Sequence, residues 1–239
     1  MIIYPAVDIQ DGKCVRLRQG RAEESTVYYA DPCEAAAHWF SEGAQWLHVV
    51  DLDGAFLGES RNDDAIRRIV SLGVPVQVGG GIRDMERIRT LMDMGVDRAI
   101  IGTAAVENPD LVREAVESYG DAIAVGIDAR NGMVATRGWQ EISEMRAVPL
   151  AVKMKELGVA TVIYTDISRD GMLTGPNTSA MEEMVRGSGL SVIASGGVSE
   201  LPDIEALMNT GVSGAIVGKA LYAKRFSLPE AIALTEGTC

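Results

Sequence analysis

Two short patterns 120 residues apart carry the same chemistry. Asp8-x-x-Asp11-Gly12 recurs as Asp128-x-x-Asn131-Gly132, and in each the first aspartate closes a β-branched run, Ile2–Asp8 or Ile123–Asp128. Two carboxylates at matching points of a repeated frame suit acid–base work: one removes a proton from a reacting carbon, the other delivers one to an oxygen. A single aspartate after a strand is ordinarily a turn former or helix cap; the pairing is what points to chemistry. Asp51 and Asp166 also end apolar runs, with Asp53 and Asp170 just beyond, and Thr165 offers a hydroxyl to a substrate or a carboxylate. Asp170 rivals Asp128 for the acid role.

Four glycine loops supply a second kind of site. They are Val78-Gly79-Gly80-Gly81-Ile82-Arg83, Gly102-Thr103, Ser195-Gly196-Gly197 and Gly218-Lys219. Glycines leave backbone N–H groups bare, and a helix start adds positive dipole, so each loop is a cradle for an anion. Gly80, Gly81, Arg83, Gly102 and Thr103 form one phosphate grip; Gly196, Gly197, Gly218 and Lys219 form another. A dinucleotide fingerprint is excluded because its third glycine would fall on Asp84. Trp139, after Arg137 and Gly138, is expected to stack on a planar ligand group, with Arg137 adding charge. Arg16, Arg18 and Gln19 lie in a long stretch, Gly12–Ala30, that reads as a mobile lid.

Something must hold these groups on one face. Near-continuous apolar runs at Ile2–Asp8, Trp46–Asp51, Val74–Val78, Arg98–Ile101, Ile123–Asp128, Thr161–Asp166, Ser191–Ser195 and Gly214–Val217 predict parallel strands buried on both sides. Segments of helical period separate them: Pro32–Glu42, Arg61–Leu72, Met85–Met94, Pro109–Tyr119, Ala147–Leu157, Thr178–Gly187 and Leu201–Asn209, with Leu228–Leu234 last. Gly80–Ala104 aligns without gaps on Gly196–Ala220, with 11 of 25 positions identical. Alternating strands and helices with a half-chain repeat predict a single (β/α)8 barrel, residues 1–239, built from two half-barrels of about 1–120 and 121–239. A doubly wound sheet fits the repeat less well. Such a barrel is roughly 15 Å across, so grips on opposite rims suit one elongated bisphosphate. The first and fifth strands then face each other across its middle, placing Asp8 and Asp128 there.

Composition limits the partners. The chain of 239 residues has 22 Lys plus Arg against 34 Asp plus Glu, a net charge of −12, which argues against nucleic acid and anionic membranes. Cys14, Cys33 and Cys239 are scattered and form no C-x-x-C, which suits a reducing cytoplasm. His38 and His48 stand in no ligand spacing, so no metal site is expected. Neither a signal peptide nor an apolar stretch of about 18 residues is apparent, and no exposed apolar stripe speaks against a monomer.

The ordered segments resemble the ProFAR (phosphoribosylformimino-5-aminoimidazole carboxamide ribotide) isomerases of histidine biosynthesis. The residues concerned are Pro5-Ala6-Val7-Asp8, Val15-Arg16-Leu17-Arg18-Gln19-Gly20, Val50-Asp51-Leu52-Asp53-Gly54-Ala55, Gly79-Gly80-Gly81-Ile82-Arg83, Gly138-Trp139 and Thr165-Asp166-Ile167-Ser168-Arg169-Asp170-Gly171. Ser195-Gly196-Gly197 and Ile216-Val217-Gly218 complete the set. The resemblance implies an Amadori rearrangement of an aminoaldose carrying two phosphates, with Asp8 as base, Asp128 as acid and no cofactor. Rival readings are a dual-substrate isomerase that also takes phosphoribosylanthranilate, the related cyclase that closes the imidazole ring, and a phosphometabolite-binding protein without chemistry.

Overall fold

Apolar runs that could not be left in water become the staves of a closed barrel. The structure is a computed structural model that describes residues 1–58 and 60–237, with the side chains of Arg18, Arg21, Ala22 and Glu23 outside the description. Its strands are β1 (Ile2–Gln10), β2 (Lys13–Arg18), β3 (Arg21–Tyr29), β4 (Leu47–Asp51), β5 (Val76–Gly79), β6 (Arg98–Ile101), β7 (Ile123–Arg130), β8 (Met133–Thr136), β9 (Glu141–Arg146), β10 (Thr161–Asp166), β11 (Ser191–Ser195) and β12 (Gly214–Val217). Eight pair in parallel in the order β1-β4-β5-β6-β7-β10-β11-β12, and β12 returns to β1 through Ile2↔Gly214 to Pro5↔Val217. This is the expected (β/α)8 barrel.

The helices are α1 (Pro32–Ser41), α2 (Leu52–Leu57), α3 (Asp63–Val70), α4 (Met85–Asp93), α5 (Thr103–Glu107), α6 (Pro109–Tyr119), α7 (Ala147–Glu156), α8 (Thr178–Ser188), α9 (Leu201–Met208), α10 (Lys219–Tyr222) and α11 (Leu228–Glu236). Local chemistry sets their starts. Asp31 accepts from Cys33 N ahead of Pro32, Asp84 caps α4 through Arg87 N, and Ser227 with Glu230 forms a capping box. Their apolar stripes, such as Met85, Ile88 and Leu91 of α4, bury against the outer faces of the strands. Inside the barrel, Tyr4, Ala6, Ile100, Ala124, Ile163, Ile193 and Ile216 fill the middle. At the same level Trp46 stacks near Tyr4 at 5.9 Å, and the Arg98 guanidinium lies 4.6 Å over the Trp46 ring.

Two stretches depart from the sequence expectation. Gly12–Ala30, read as a loop and mobile lid, contains the strands β2 and β3, and β2 pairs antiparallel with both β1 and β3. A second antiparallel extension, β8 and β9, follows β7. The two begin identically. Asp11 and Gly12 have φ of 48° and 69°, Asn131 and Gly132 have 53° and 76°, the paired left-handed residues of a two-residue hairpin turn. Ile9↔Cys14 and Gln10↔Lys13 in the first match Ala129↔Val134 and Arg130↔Met133 in the second. The repeat read as a pair of aspartates is thus also a pair of hairpins rising from the rim. Helices α2, α5 and α10 were not expected either; at six, five and four residues they are too short to display a helical period.

Candidate active site

Both hairpins bend a side chain back onto the aspartate that precedes them. Asp8, near the end of β1, is buried, and Arg16 of β2 donates to its Oδ2 at 2.7 Å. Asp128, near the end of β7, accepts from the Trp139 indole Nε1 at 2.7 Å, and Thr165 of neighbouring β10 is its cross-strand partner. Asp170 follows β10, and together these groups line a cavity of about 690 Å³ over the C-terminal end of the barrel, a volume suited to a metabolite.

Burial raises all three carboxylates. Burial pushes Asp8 up to about 6, against the pull of Arg16, while the nearby Asp170 charge adds to the rise. Burial also raises Asp128; the Trp139 bond and the neighbouring Thr165 oppose it and Asp170 again adds. Asp170 itself is raised by burial, with Arg16 and Lys219 counteracting. A carboxylate poised near 6 is a serviceable general base close to neutral pH. His48 also faces the cavity, bonded through Nδ1 to Gln77 at 3.0 Å. Burial and then Arg16 depress it to about 3, so it stays uncharged.

The glycine loops are close-packed cradles. Gly80 has φ 101°, and a Cβ there would collide with the Asp51 backbone; Gly81, φ 71°, lies equally tight on Gly54. In the other half Gly196, φ 95°, sits on the Asp166 carbonyl and Gly197, φ 96°, on Gly175. Each pair therefore needs glycine for both conformation and room. Gly80→Ala should cost about 3 kcal/mol or more of stability, through strain plus collision, read as a large fall in thermal midpoint.

Gly80, Gly81, Arg83, Gly102 and Thr103, the residues of the first expected grip, line the main cavity. Gly196, Gly197, Gly218 and Lys219 line a smaller recess with Arg16 and Asp170. The two are unequal. The Arg16 guanidinium packs directly on Gly218, and Lys219 Nζ donates to Gly171 O at 2.7 Å.

Several expectations change. Arg16, read as a lid residue, is a buried partner of Asp8 that also reaches the second grip; it is the functional side chain sequence reasoning undervalued. Arg137 borders the cavity, but its guanidinium pairs with Glu107 at 3.3 Å and Glu141 at 3.1 Å, so it is not a free charge for a ligand. Its backbone N–H donates to Thr103 Oγ1 at 2.9 Å instead. The Arg18 side chain lies outside the described residues, as does Cys239. Trp139 does face the cavity, held with φ 69° beside Arg137 and Gly138 at 54° and 63°. Its ring lies on Gly20, where a Cβ would overlap it. Gln19 docks the same hairpin tip onto the loop after β10, through Gln19 N to Asp170 O at 3.3 Å and Nε2 to Ser168 O at 3.0 Å.

By its closed parallel sheet and surrounding helices the protein is a (β/α)8-barrel protein. The chain belongs to the histidine biosynthesis protein family, whose model matches residues 2–227. It is similar to a protein of Acetivibrio thermocellus named 1-(5-phosphoribosyl)-5-((5-phosphoribosylamino)methylideneamino) imidazole-4-carboxamide isomerase, 57% identical over 233 residues that cover 97% of this chain and 98% of the relative. A relative of the same name in Thermoanaerobacter pseudethanolicus gives the same figures. Another, in Lachnoclostridium phytofermentans, is 53% identical over 238 residues, 99% of this chain and 100% of the relative. Among the described residues no helix is long and apolar enough to cross a membrane.

Proposed function

We propose that the protein is an aldose–ketose isomerase of histidine biosynthesis, converting ProFAR to its ribulosyl isomer as a cytoplasmic monomer without a cofactor. The observation that carries the reading is the placement of Asp8 and Asp128 in one cavity, on β1 and β7, four staves apart around the barrel. The substrate spans that cavity. One phosphate rests on Gly80, Gly81, Gly102 and Thr103 with Arg83; the other rests on Gly196, Gly197 and Gly218 with Lys219 and Arg16. The reacting aminoribose then lies between the two carboxylates.

Asp128, protonated, gives its proton to the ribose ring oxygen as the C1–O bond breaks, and the amine nitrogen lone pair forms the C1=N double bond of a Schiff base. Asp8 takes the proton from C2, and the C–H electrons flow toward nitrogen to give an enolamine. Asp8 returns its proton to C1 while the Asp128 carboxylate takes the C2 hydroxyl proton, which yields the aminoketose and restores both carboxyl groups. Atoms and charge balance with no outside reagent. The carboxylates supply proton transfer; the grips supply orientation, which is worth more than any single contact.

Trp139 holds Asp128 through its indole N–H and stacks on the ligand. Trp139→Phe keeps the ring on Gly20 but removes the bond that lowers Asp128. The acid should then lose its proton at higher pH, moving the basic limb of the kcat/KM profile upward; an unmoved limb would separate Trp139 from the acid. The reading as a whole is tested by offering ProFAR and phosphoribosylanthranilate to the purified protein. Ketose from the first alone is expected. Turnover of the second would make the enzyme dual-substrate, and ammonia-dependent imidazole ring closure would assign the cyclase reaction instead.

A further inference from the structure

A buried polar cluster beneath the first hairpin has no part in the chemistry above. Asn62 starts α3 and is only 3% exposed, yet its side chain makes no cap bond to that helix. Its Nδ2 donates instead to Asp51 Oδ1 at 2.7 Å and to Asp53 Oδ2 at 2.8 Å. Its Oδ1 accepts from Gly12 N at 3.3 Å, and Asp53 Oδ2 accepts from Asp11 N at 2.8 Å. Both residues of the Asp11–Gly12 turn are thereby tied to the barrel.

The other half supplies the comparison. Asn177 stands 115 residues after Asn62, as Asp166 stands 115 after Asp51, and Asn177 Nδ2 likewise donates to Asp166 at 2.7 Å. Asn177 Oδ1, however, caps its own helix through Ala180 N at 3.3 Å. Ser168 occupies the place of Asp53 and bonds Asp166, not a turn. The same frame is a plain helix cap in one half and a hairpin anchor in the other. Asn62 has given up a cap bond, and two carboxylates share one amide in a buried site. Such an arrangement is costly unless the turn it grips matters.

We propose that Asn62 and Asp53 are positioning residues that clamp the Asp11–Gly12 turn and so hold Arg16 against Asp8. The Asp11–Gly12 turn lays β2 back on β1, and anchoring that turn fixes where β2 delivers Arg16, four residues beyond Gly12. The inference rests on Asp8 being the base of the proposed reaction. The charged and titratable groups facing Asp8 are Arg16 and Cys14 from β2 and Asp170 from the loop after β10; His48, Lys219 and Tyr222 face that set in turn.

The test compares wild type with Asn62→Ala, Asp53→Ala and Asp53→Asn, the last keeping an oxygen for the Asp11 amide. In the alanine variants kcat with ProFAR should fall at least tenfold, since small misplacements near reacting groups cost up to about 10²-fold. The acid limb of kcat/KM, set by Asp8, should move to higher pH as Arg16 withdraws. Asp53→Asn should stay near wild type in both. Hydrogen exchange gives a readout that needs no variant: the Asp11 and Gly12 amides should be protected in the wild-type protein. Folded alanine variants with unmoved limb and kcat within twofold, or unprotected turn amides in wild type, would overturn the clamp. A wild-type protein inactive on ProFAR would overturn the function instead, and the two failures are thus distinct.

Discussion

Asp8→Asn is expected to lower kcat on ProFAR by about 10²–10⁴-fold, the range for removing a general base, while leaving substrate affinity nearly intact. The substitution is close to isosteric. The amide oxygen still accepts from Arg16, whose donor sits 2.7 Å from the present carboxylate, so the buried guanidinium keeps a neighbour and the hairpin its seat. What is lost is basicity at the one position the proposed geometry places against C2. Asp8 touches the second grip only through Arg16, and the amide oxygen keeps that bond, so KM should change by no more than a few-fold. Single-turnover kinetics with a direct binding measurement separates the two effects. Turnover within tenfold of wild type would remove Asp8 from the role of base.

The second large effect distinguishes the acid. Asp128→Asn removes the proton donor but leaves an oxygen to accept from Trp139, so the closed hairpin should persist and kcat should fall by about 10²-fold or more. Asp170→Asn acts differently. Its charge raises both Asp8 and Asp128. Neutralising it should let both ionise at lower pH, shifting the whole kcat/KM profile toward acid with a smaller loss at the optimum. Since the three carboxylates are coupled, the profile reports macroscopic values, and the direction of displacement is the signal. An inactive Asp170→Asn beside a substantially active Asp128→Asn would exchange their roles.

Much of this site could be read from residue order because the fold repeats. A (β/α)8 barrel places every strand end on one face, so Asp8, Asp128 and the glycine loops were bound to meet once the strands were recognised. The hairpins were overlooked although their signal was present. Asp11-Gly12 and Asn131-Gly132 are the strongest short turn signature known. A two-residue turn at Asp11-Gly12 pairs Gln10 with Lys13 and Asp8 with Val15; regular alternation then sets Val15 on the face of Asp8, so the reach of the Arg16 side chain to Asp8 is seen only in the structure. The polar face of Glu141–Arg146 concealed the second hairpin, since exposed ribbons lack the apolar runs that mark barrel strands.

Other features have no local signature. That Gly80 leans on the Asp51 carbonyl, or that Arg137 is taken up by Glu107 thirty residues away in sequence, depends on which loops the barrel brings side by side. The inequality of the two grips has the same origin: the repeat predicts two equal cradles, but only one has an arginine from the first hairpin resting on it. The net charge of −12 gains a sharper meaning here. In the proposed reading two phosphates bind against the overall field, and the cradles' backbone N–H groups, Arg16, Arg83 and Lys219 supply the attraction locally.

The most direct measurement is a crystal structure of Asp8→Asn with unconverted ProFAR. The expected result is one ligand spanning the barrel, with a phosphate on Gly80, Gly81, Gly102 and Thr103, the other on Gly196, Gly197 and Gly218, and the aminoribose C2 about 3–3.5 Å from the residue 8 side chain. A ligand held by one grip alone, or with C2 remote from position 8, would contradict the two-grip, two-carboxylate mechanism.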